Sequence, residues 1–404
     1  MRSLVVVLAL RSATAIPFTL RTLDEATYPM AKCLDGSPPG FYFAPGIGSG
    51  ADNWLIHTQG GGWCVSDVDC ANRAKSPLGS SSAWAPSGCD GSATDKAAPV
   101  CYADGGVNGM LSDSNATNPL LFNWNKVFIN YCDGGSFAGA RIDPVIIPDH
   151  NTTAIYYRGR YILDGVYAEL FKLGLNRAAT VVIKGCSAGG LAVFLHLDYL
   201  AAKIRAVSPT TRVVGAPGAG FFLGEAPPYS GSGYLANYQW SFDAHNVSAR
   251  IDGFSSTNDA CLAAHVPTND TWRCFIAPEL LPHIRTPLFV SNSLSDSWQG
   301  DNVMGLGCSP TKAGACDAAQ MTYLSNFRMM MLDLLRPIMT PGTPHGGFLQ
   351  GCYVHVVEGG LQGWTAVKID GRSQAETFAA WLLRTGGKPL EVDIFPPWSN
   401  PTCG

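Results

Sequence analysis

Residues 180–195 read TVVIKGCSAGGLAVFL, and this stretch decides the fold. Its first five residues are a short β-branched run typical of a buried strand, and the chain from Leu191 onward has a helical pattern. Between them, Gly185-Cys186-Ser187-Ala188-Gly189-Gly190 matches G-x-S-x-G. In that context the pattern predicts a tight turn that presents Ser187, with glycines where side chains would collide with backbone. A small-residue turn that only packs helix on strand is the alternative.

Further segments alternate between strand and helix patterns. Strands are predicted over residues 53–58, 126–131, 180–184 and 287–291, and helices over 159–173, over 191–207 and from a capping box at Ser373 and Glu376. This alternation predicts an α/β fold of the α/β-hydrolase type, with a doubly wound, mostly parallel sheet covered by helices on both faces. Residues 76–113 and 217–254 are predicted to be long loops near the substrate cleft. We expect residues 16–404 to form a single catalytic domain.

Gly60-Gly61-Gly62-Trp63 follows the strand that ends near Thr58. Lipases and esterases place a glycine-rich oxyanion loop at this point, so the amides of Gly62, Trp63 and Ala188 are candidate oxyanion donors. An ordinary glycine turn beside Cys64 is the alternative.

A nucleophilic serine needs a histidine base and an acid, in the chain order Ser, acid, His for this fold. Asp296 follows the strand at 287–291, with Asp301 and Asp317 as rivals. His345 and His355 remain for the base, and His355 is favoured because Cys352 can pin its loop. No H-E-x-x-H and no clustered CxxC pair is present, so neither a metal nor any other cofactor is predicted.

Composition and cysteine content indicate an exported protein. Met1–Ala15 has a basic start, a short apolar run and a small-residue cleavage site, as a signal peptide does. The 27 Lys and Arg against 31 Asp and Glu give a formal charge of -4, without a basic run that would bind nucleic acid. No stretch is long and apolar enough to predict a membrane span.

Thirteen cysteines in such a chain favour several disulfides. Cys186 lies inside the serine motif and is taken as the unpaired one, which leaves twelve for up to six bridges. The predicted local pairs are Cys64 with Cys70, Cys261 with Cys274 and Cys308 with Cys316. Candidate glycosylation sites are Asn115, Asn151, Asn246 and Asn269.

Five ordered motifs resemble the pectin acetylesterase family, which includes the plant enzymes and the animal carboxylesterase Notum. They are Gly60-Gly61-Gly62-Trp63-Cys64, Asn130-Tyr131-Cys132-Asp133-Gly134, Gly185–Gly190, Asp296-Ser297-Trp298-Gln299 and Cys352-Tyr353-Val354-His355. The resemblance implies the triad Ser187, Asp296 and His355, with Gly62, Trp63 and Ala188 as oxyanion donors. It is closer to the plant type, although plant members usually have a cysteine where Val356 stands.

We therefore expect a secreted serine esterase that deacetylates an extracellular polysaccharide, pectin-like in kind, through an acyl-enzyme. A Notum-like lipid or protein O-deacylase is one alternative, and a non-catalytic secreted binding glycoprotein on a hydrolase scaffold is the other.

Overall fold

A ten-stranded mixed sheet organises the chain, in the order β16-β13-β12-β9-β8-β3-β5-β2-β1-β4. The structure, a computed structural model, describes residues 18–85, 87–88, 109–148, 153–224, 234–311, 315–356, 363–394 and 399–403. Seven neighbouring strands from β16 to β5 run parallel, and β2, β1 and β4 complete the sheet with antiparallel pairs. The predicted α/β-hydrolase-like fold is confirmed.

The sheet strands are β1 Phe18–Thr22, β2 Gly40–Ala44, β3 Asn53–Thr58, β4 Ser87–Gly88, β5 Asn125–Ile129, β8 Thr180–Cys186, β9 Arg212–Gly218, β12 Phe289–Ser293, β13 Gly346–Gln350 and β16 Leu390–Val392. Separate two-stranded pairs are β6 Val145–Ile147 with β7 Thr153–Ile155, β10 Arg250–Ile251 with β11 Phe254–Ser255, and β14 Lys368–Ile369 with β15 Arg372–Ser373. The α-helices are α1 Asp67–Arg73, α2 Gly159–Leu173, α3 Ala188–Val207, α4 Leu235–Ala244, α5 Asp259–His265, α6 Ala277–Leu280, α7 Ser297–Asn302, α8 Ala318–Leu334, α9 Arg336–Met339, α10 Gly363–Ala366 and α11 Gln374–Leu383.

Strand β8 shows why the middle of the sheet is apolar throughout. Val181 and Ile183 belong to the core on one face, and Val182 belongs to the core on the other. Successive side chains of a strand point to opposite faces, so a strand covered on both sides needs an unbroken apolar run.

The chain changes direction across the sheet between β3 and β8. From β3 it proceeds to β5 on one side, whereas β8, β9, β12, β13 and β16 follow on the other. Open α/β sheets bind their ligands at such a switch point, outside the carboxyl ends of the strands. Gly60–Trp63 follows β3 and Ser187 follows β8, so both candidate motifs lie at this point.

Most of the elements named from the sequence are present, and one region differs. The predicted bounds of β3 and α2 agree with the structure, and Ser373 and Glu376 form the expected capping box of α11. The prediction of a long loop over 217–254 is wrong in part, because α4 and β10 lie within it. Tyr238 and Phe242 of this helix pack in the core, so tertiary burial stabilises a segment whose own helical pattern is weak.

Five disulfides join the cysteines that the structure describes. Three are the local pairs named above, Cys64–Cys70, Cys261–Cys274 and Cys308–Cys316. Cys33–Cys132 and Cys352–Cys403 link distant parts of the chain, and Cys186 is buried without forming a disulfide. Cys89, Cys101 and the predicted signal peptide lie outside the described residues.

We expect the Cys33–Cys132 disulfide to contribute more stability than the local pairs. It joins residues 99 apart in the sequence, and loop-closure entropy for about 100 residues corresponds to about 4.7 kcal/mol. Replacing both cysteines with alanine should lower the free energy of unfolding by about that amount in a urea titration. The same replacement of Cys64 and Cys70, six residues apart, should cost about 2 kcal/mol. Equal losses in the two variants would contradict this account.

Candidate active site

Ser187 occupies a strained turn between β8 and α3. Its backbone has φ 57° and ψ -126°, a region that L-residues rarely adopt. The amide of Ser187 donates to the carbonyl of Gly218 at 2.9 Å, which ties the turn to β9. The turn therefore holds the hydroxyl at the carboxyl edge of the sheet.

Glycines are needed on both sides of this turn because backbones approach one another closely. A Cβ at Gly185 would lie 2.0 Å from the carbonyl oxygen of Gly189. A Cβ at Gly60 would lie 2.2 Å from the carbonyl oxygen of Cys186, so the glycine-rich loop after β3 packs directly against the serine turn. Side chains at either position would force the two segments apart.

Hydrogen-bonding distances connect Ser187 to His355 and His355 to Asp296. The Ser187 Oγ is 2.8 Å from the Nε2 of His355. The Nδ1 of the same imidazole is 2.9 Å and 3.0 Å from the two carboxylate oxygens of Asp296. With the Nδ1 proton donated to the carboxylate, Nε2 is free to accept the hydroxyl proton of Ser187.

Asp296 is held by the start of α7. Its side chain is fully buried, and its Oδ1 accepts a hydrogen bond from the amide of Gln299 at 3.0 Å. Gln299 in turn accepts from the amide of Leu223 at 2.8 Å and donates to the carbonyl of Phe221 at 3.2 Å. These contacts fix the carboxylate in position.

The loop that carries His355 is framed from its N-terminal side. Cys352 forms a disulfide with Cys403, and its carbonyl accepts from the Ser293 hydroxyl at 2.6 Å. The absence of a cysteine at Val356 therefore does not leave the histidine loop without a covalent anchor.

The alternative candidates for the base and the acid lie away from Ser187. His345 precedes β13, at the opposite end of that strand from His355, and its Nδ1 accepts from the amide of Leu288 at 3.1 Å. Asp301 is exposed, and Asp317 is the N-cap of α8 within a capping box. None of the three is brought to Ser187.

The three candidate oxyanion residues meet beside Ser187, and two hydroxyl groups link them. Tyr131 donates to the carbonyl of Gly62 at 2.8 Å, and its own oxygen accepts from the amide of Ser136 at 3.0 Å. The indole of Trp63 donates to the Ser136 hydroxyl at 2.6 Å, which donates to the carbonyl of Ala188 at 2.7 Å. One network thus fixes Gly62, Trp63 and Ala188 relative to one another.

The amides themselves remain available. Among the described residues, the backbone hydrogen bonds include none donated by Gly62 or Trp63. Ala188 is the first residue of α3, so its amide has no acceptor within the helix. Backbone amides without an acceptor are candidate donors to the negative charge that develops on a carbonyl oxygen.

No sequence pattern pointed to Ser136 or to a role for Tyr131. Both belong to the loop after β5, which contains the motif Asn130-Tyr131-Cys132-Asp133-Gly134. Asp133 in this loop accepts from the amides of Gly135 and Phe137, each at 3.2 Å, and burial raises the pKa of its carboxyl to about 7. The motif contacts the candidate oxyanion loop through Tyr131, which donates to the carbonyl of Gly62, and through Gly134, whose carbonyl accepts from the amide of Cys64 at 3.1 Å.

A cluster of five aromatic side chains packs beside His355. We call it the aromatic cluster, and it consists of Trp63, Phe222, Tyr234, Tyr238 and Trp298. The ring of Trp63 lies 4.9 to 6.1 Å from the other four ring centroids. Phe222 and Trp298 lie 5.8 and 5.9 Å from the imidazole of His355.

The cavity that touches His355 in the described part of the chain is small. It encloses about 220 Å³ and is lined by Cys186, Gly218, Ala219, residues 291–293, His355 and Val356. This volume includes space open to solvent, and neither Ser187 nor the three candidate oxyanion residues line the cavity. The cavity therefore lies behind His355 and is not the acyl-binding site.

Two groups of cysteine and histidine lie close enough to hold a metal ion, Cys64 with Cys70 and His245, and Cys261 with Cys274 and His265. In both groups the two sulfurs are joined in a disulfide and are not available as thiolate ligands.

Of the candidate glycosylation sites, Asn115, Asn246 and Asn269 are exposed, and Asn151 lies outside the described residues. Of the helices in the described ranges, none has the length and apolar character that a bilayer span requires.

Comparison with known proteins identifies relatives over almost the whole chain. The family model described as Pectinacetylesterase matches residues 11–404. Pectin acetylesterase 7 of Arabidopsis thaliana is 31% identical over 96% of this chain and 93% of its own length. Palmitoleoyl-protein carboxylesterase notum1' of Xenopus laevis is 26% identical over 92% and 72% respectively. The solved structure of the Wnt deacylase Notum from Drosophila has a TM-score of 0.77 at 25% identity, covering 96% of this chain and 99% of that one.

Proposed function

Because this chain belongs to the pectinacetylesterase family and is a carboxylic ester hydrolase, we propose that it deacetylates an acetylated extracellular polysaccharide of the pectin type. The observation that carries the proposal is the alignment of Ser187, His355 and Asp296 at 2.8 and 2.9 Å beside three available amides. In the proposed reaction Ser187 is the nucleophile, His355 the base, and Asp296 the group that orients and stabilises the imidazolium.

The proposed reaction proceeds in two halves. The Ser187 Oγ attacks the ester carbonyl carbon while His355 accepts its proton, and the amides of Gly62, Trp63 and Ala188 stabilise the oxyanion. The intermediate collapses to an acyl-enzyme as its bond to the sugar oxygen breaks and the His355 imidazolium protonates that oxygen, which leaves as a hydroxyl group. Water then attacks the acyl carbon by the same route and releases acetate.

The aromatic cluster supports a short acyl group over a long one. A fatty acyl chain bound to Ser187 would need an apolar channel beside the oxyanion residues. In the described residues this region is occupied by packed rings, of which Trp63, Phe222 and Tyr238 are buried. An acetyl group needs no such channel, so the plant-type activity fits this site better than a Notum-like activity.

The chain length that the enzyme accepts tests this assignment. With p-nitrophenyl acetate, butyrate, octanoate and palmitate, we expect kcat/KM to be highest for acetate. Trp298→Ala removes a ring next to His355 and should raise the octanoate-to-acetate ratio by about tenfold, as a few methylene groups gain a place to bind. Trp298→Phe keeps a ring there and should leave the ratio close to that of the wild type. A wild-type maximum at octanoate or palmitate would overturn the acetyl assignment.

We further propose that the protein is secreted. The predicted signal peptide and the five disulfides support an oxidising compartment. Mass spectrometry of the protein from the culture medium of expressing cells should find a mature chain that begins near residue 16. Retention of the intact chain inside the cell would contradict the proposal.

A further inference from the structure

A second pocket lies at the opposite edge of the sheet from Ser187. It is lined where neighbouring parallel strands begin: Arg212 is the first residue of β9, His345 precedes β13, and Pro389 precedes β16. The candidate catalytic residues instead follow the carboxyl ends of β8, β12 and β13. Because β13 has five residues, it alone separates the two edges by about 16 Å. A ligand in this pocket would not contact Ser187.

The pocket is open, positively charged and free of acidic groups in its lining. The charge comes from Arg212 and Arg384, because His345, which also lines the pocket, accepts a hydrogen bond at Nδ1 and is therefore neutral. No lining residue that the structure describes is an Asp or Glu. It encloses about 950 Å³, including the space at its mouth, which is ample for a small ligand. We call it the arginine pocket. Such a concentration of positive charge is unexpected in a chain whose formal charge is -4.

Of the two guanidinium groups, that of Arg212 is hydrogen-bonded to the protein and that of Arg384 is not. Arg212 donates to the carbonyl of Leu382 in the last turn of α11, where a cation is favoured by the helix dipole. Arg384 lies at the C-cap of the same helix with φ 53°, a backbone conformation usually taken by glycine at this position. Its guanidinium is not hydrogen-bonded or ion-paired to any residue that the structure describes.

The two arginine side chains are close enough to affect one another. Burial lowers the pKa of Arg212, and the positive charge of Arg384 lowers it further. Like charges brought together without a carboxylate destabilise the protein, and a bound anion would relieve that repulsion.

We propose that the arginine pocket binds a carboxylate of an acidic sugar chain, with Arg212 and Arg384 as the groups that hold it. A guanidinium presents paired N–H donors that match a carboxylate, and Arg384 has its donors free. The inference rests on the proposed function, because an acetylated pectin-type substrate carries uronate carboxylates along its length. Since the pocket lies away from Ser187, it would retain the enzyme on the polymer and raise the local concentration of ester groups.

Binding of trigalacturonate to the full-length protein, measured by isothermal titration calorimetry, tests the proposal. The wild type should bind it saturably and less tightly as salt is added, because the contact is between charges. Arg384→Gln should weaken binding by about tenfold, the usual loss for one charge-assisted hydrogen bond. Arg250→Gln changes the net charge equally on the β10–β11 hairpin, which does not line the pocket, and should bind as the wild type does.

Several results would overturn the proposal: unchanged affinity in Arg384→Gln, equal affinity for neutral trigalactose, or an equal loss in Arg250→Gln. Hydrolysis of p-nitrophenyl acetate is measured on the same samples and should be unchanged in Arg384→Gln, which also shows that this variant is folded. A wild type that binds trigalacturonate but hydrolyses no ester would contradict the proposed function and leave the binding site standing. A wild type that hydrolyses the ester but does not bind trigalacturonate would contradict the binding site alone.

Discussion

Replacing Ser187 with alanine is expected to lower kcat for p-nitrophenyl acetate by about 10⁶-fold. The hydroxyl at this position is the group that His355 can deprotonate, at 2.8 Å, and the adjoining amides are placed for the oxyanion that its attack creates. The variant should also fail to react with a fluorophosphonate probe. Its circular dichroism spectrum should match that of the wild type, because the hydroxyl is not needed for packing.

Ser295→Ala is the matched control for this prediction. Ser295 is also buried at the carboxyl edge of the sheet, beside Asp296, and its hydroxyl is not hydrogen-bonded to a described residue. We expect Ser295→Ala to retain activity within about threefold and to react with the probe. More than about 1% residual kcat in Ser187→Ala would show that another group is the nucleophile and would overturn the role proposed for Ser187.

Replacing Asp296 with asparagine is expected to lower kcat by about 10⁴-fold. Asparagine has an NH₂ donor in place of one of the two carboxylate oxygens that face Nδ1 of His355, and the amide of Gln299 already donates to the other oxygen position. With the NH₂ group facing Nδ1, the imidazole would turn or adopt the tautomer that places its proton towards Ser187. The replacement would also leave the imidazolium of His355 without the buried negative charge that now faces it. Substrate KM should change little, because Asp296 is proposed to act only through the histidine.

Asp301→Asn separates this specific effect from a general loss of negative charge. Asp301 is exposed on α7, the helix that Asp296 caps, and its replacement should leave kcat within about twofold. If both variants lost activity to the same extent, the geometry around His355 could not be the cause. Fluorophosphonate labelling of Asp296→Asn should be slow but detectable, since Ser187 is still present.

The sequence predicted best those parts of the fold that depend on neighbouring residues. The run from Thr180 to Lys184, the glycines around Ser187 and the capping box at Ser373 each have a local physical cause, and the structure contains the strand, the turn and the helix start that they indicate. The order of acid and histidine along the chain then selected Asp296 and His355 from a few rivals, and the structure places both beside Ser187.

What the sequence did not predict depends on contacts between distant segments. Helix α4 forms in a region read as a loop because Tyr238 and Phe242 are buried by other elements. The disulfides Cys33–Cys132 and Cys352–Cys403 pair residues 99 and 51 apart, for which spacing gives no guide. The link from Tyr131 and Ser136 to the oxyanion loop was missed for the same reason, since their partners lie 52 to 73 residues away.

At Ser187 the requirement for a stable backbone conformation conflicts with the requirement for a reactive hydroxyl group. With φ 57° and ψ -126° the residue has a conformation that glycine would adopt without strain, and a side chain there costs about 1–3 kcal/mol. The surrounding sheet holds that strain, so the wild type is less stable than an inert chain with glycine in its place. Selection for a durable fold and selection for turnover therefore act in opposite directions at one residue, and a lineage that lost its substrate would be free to relax the turn.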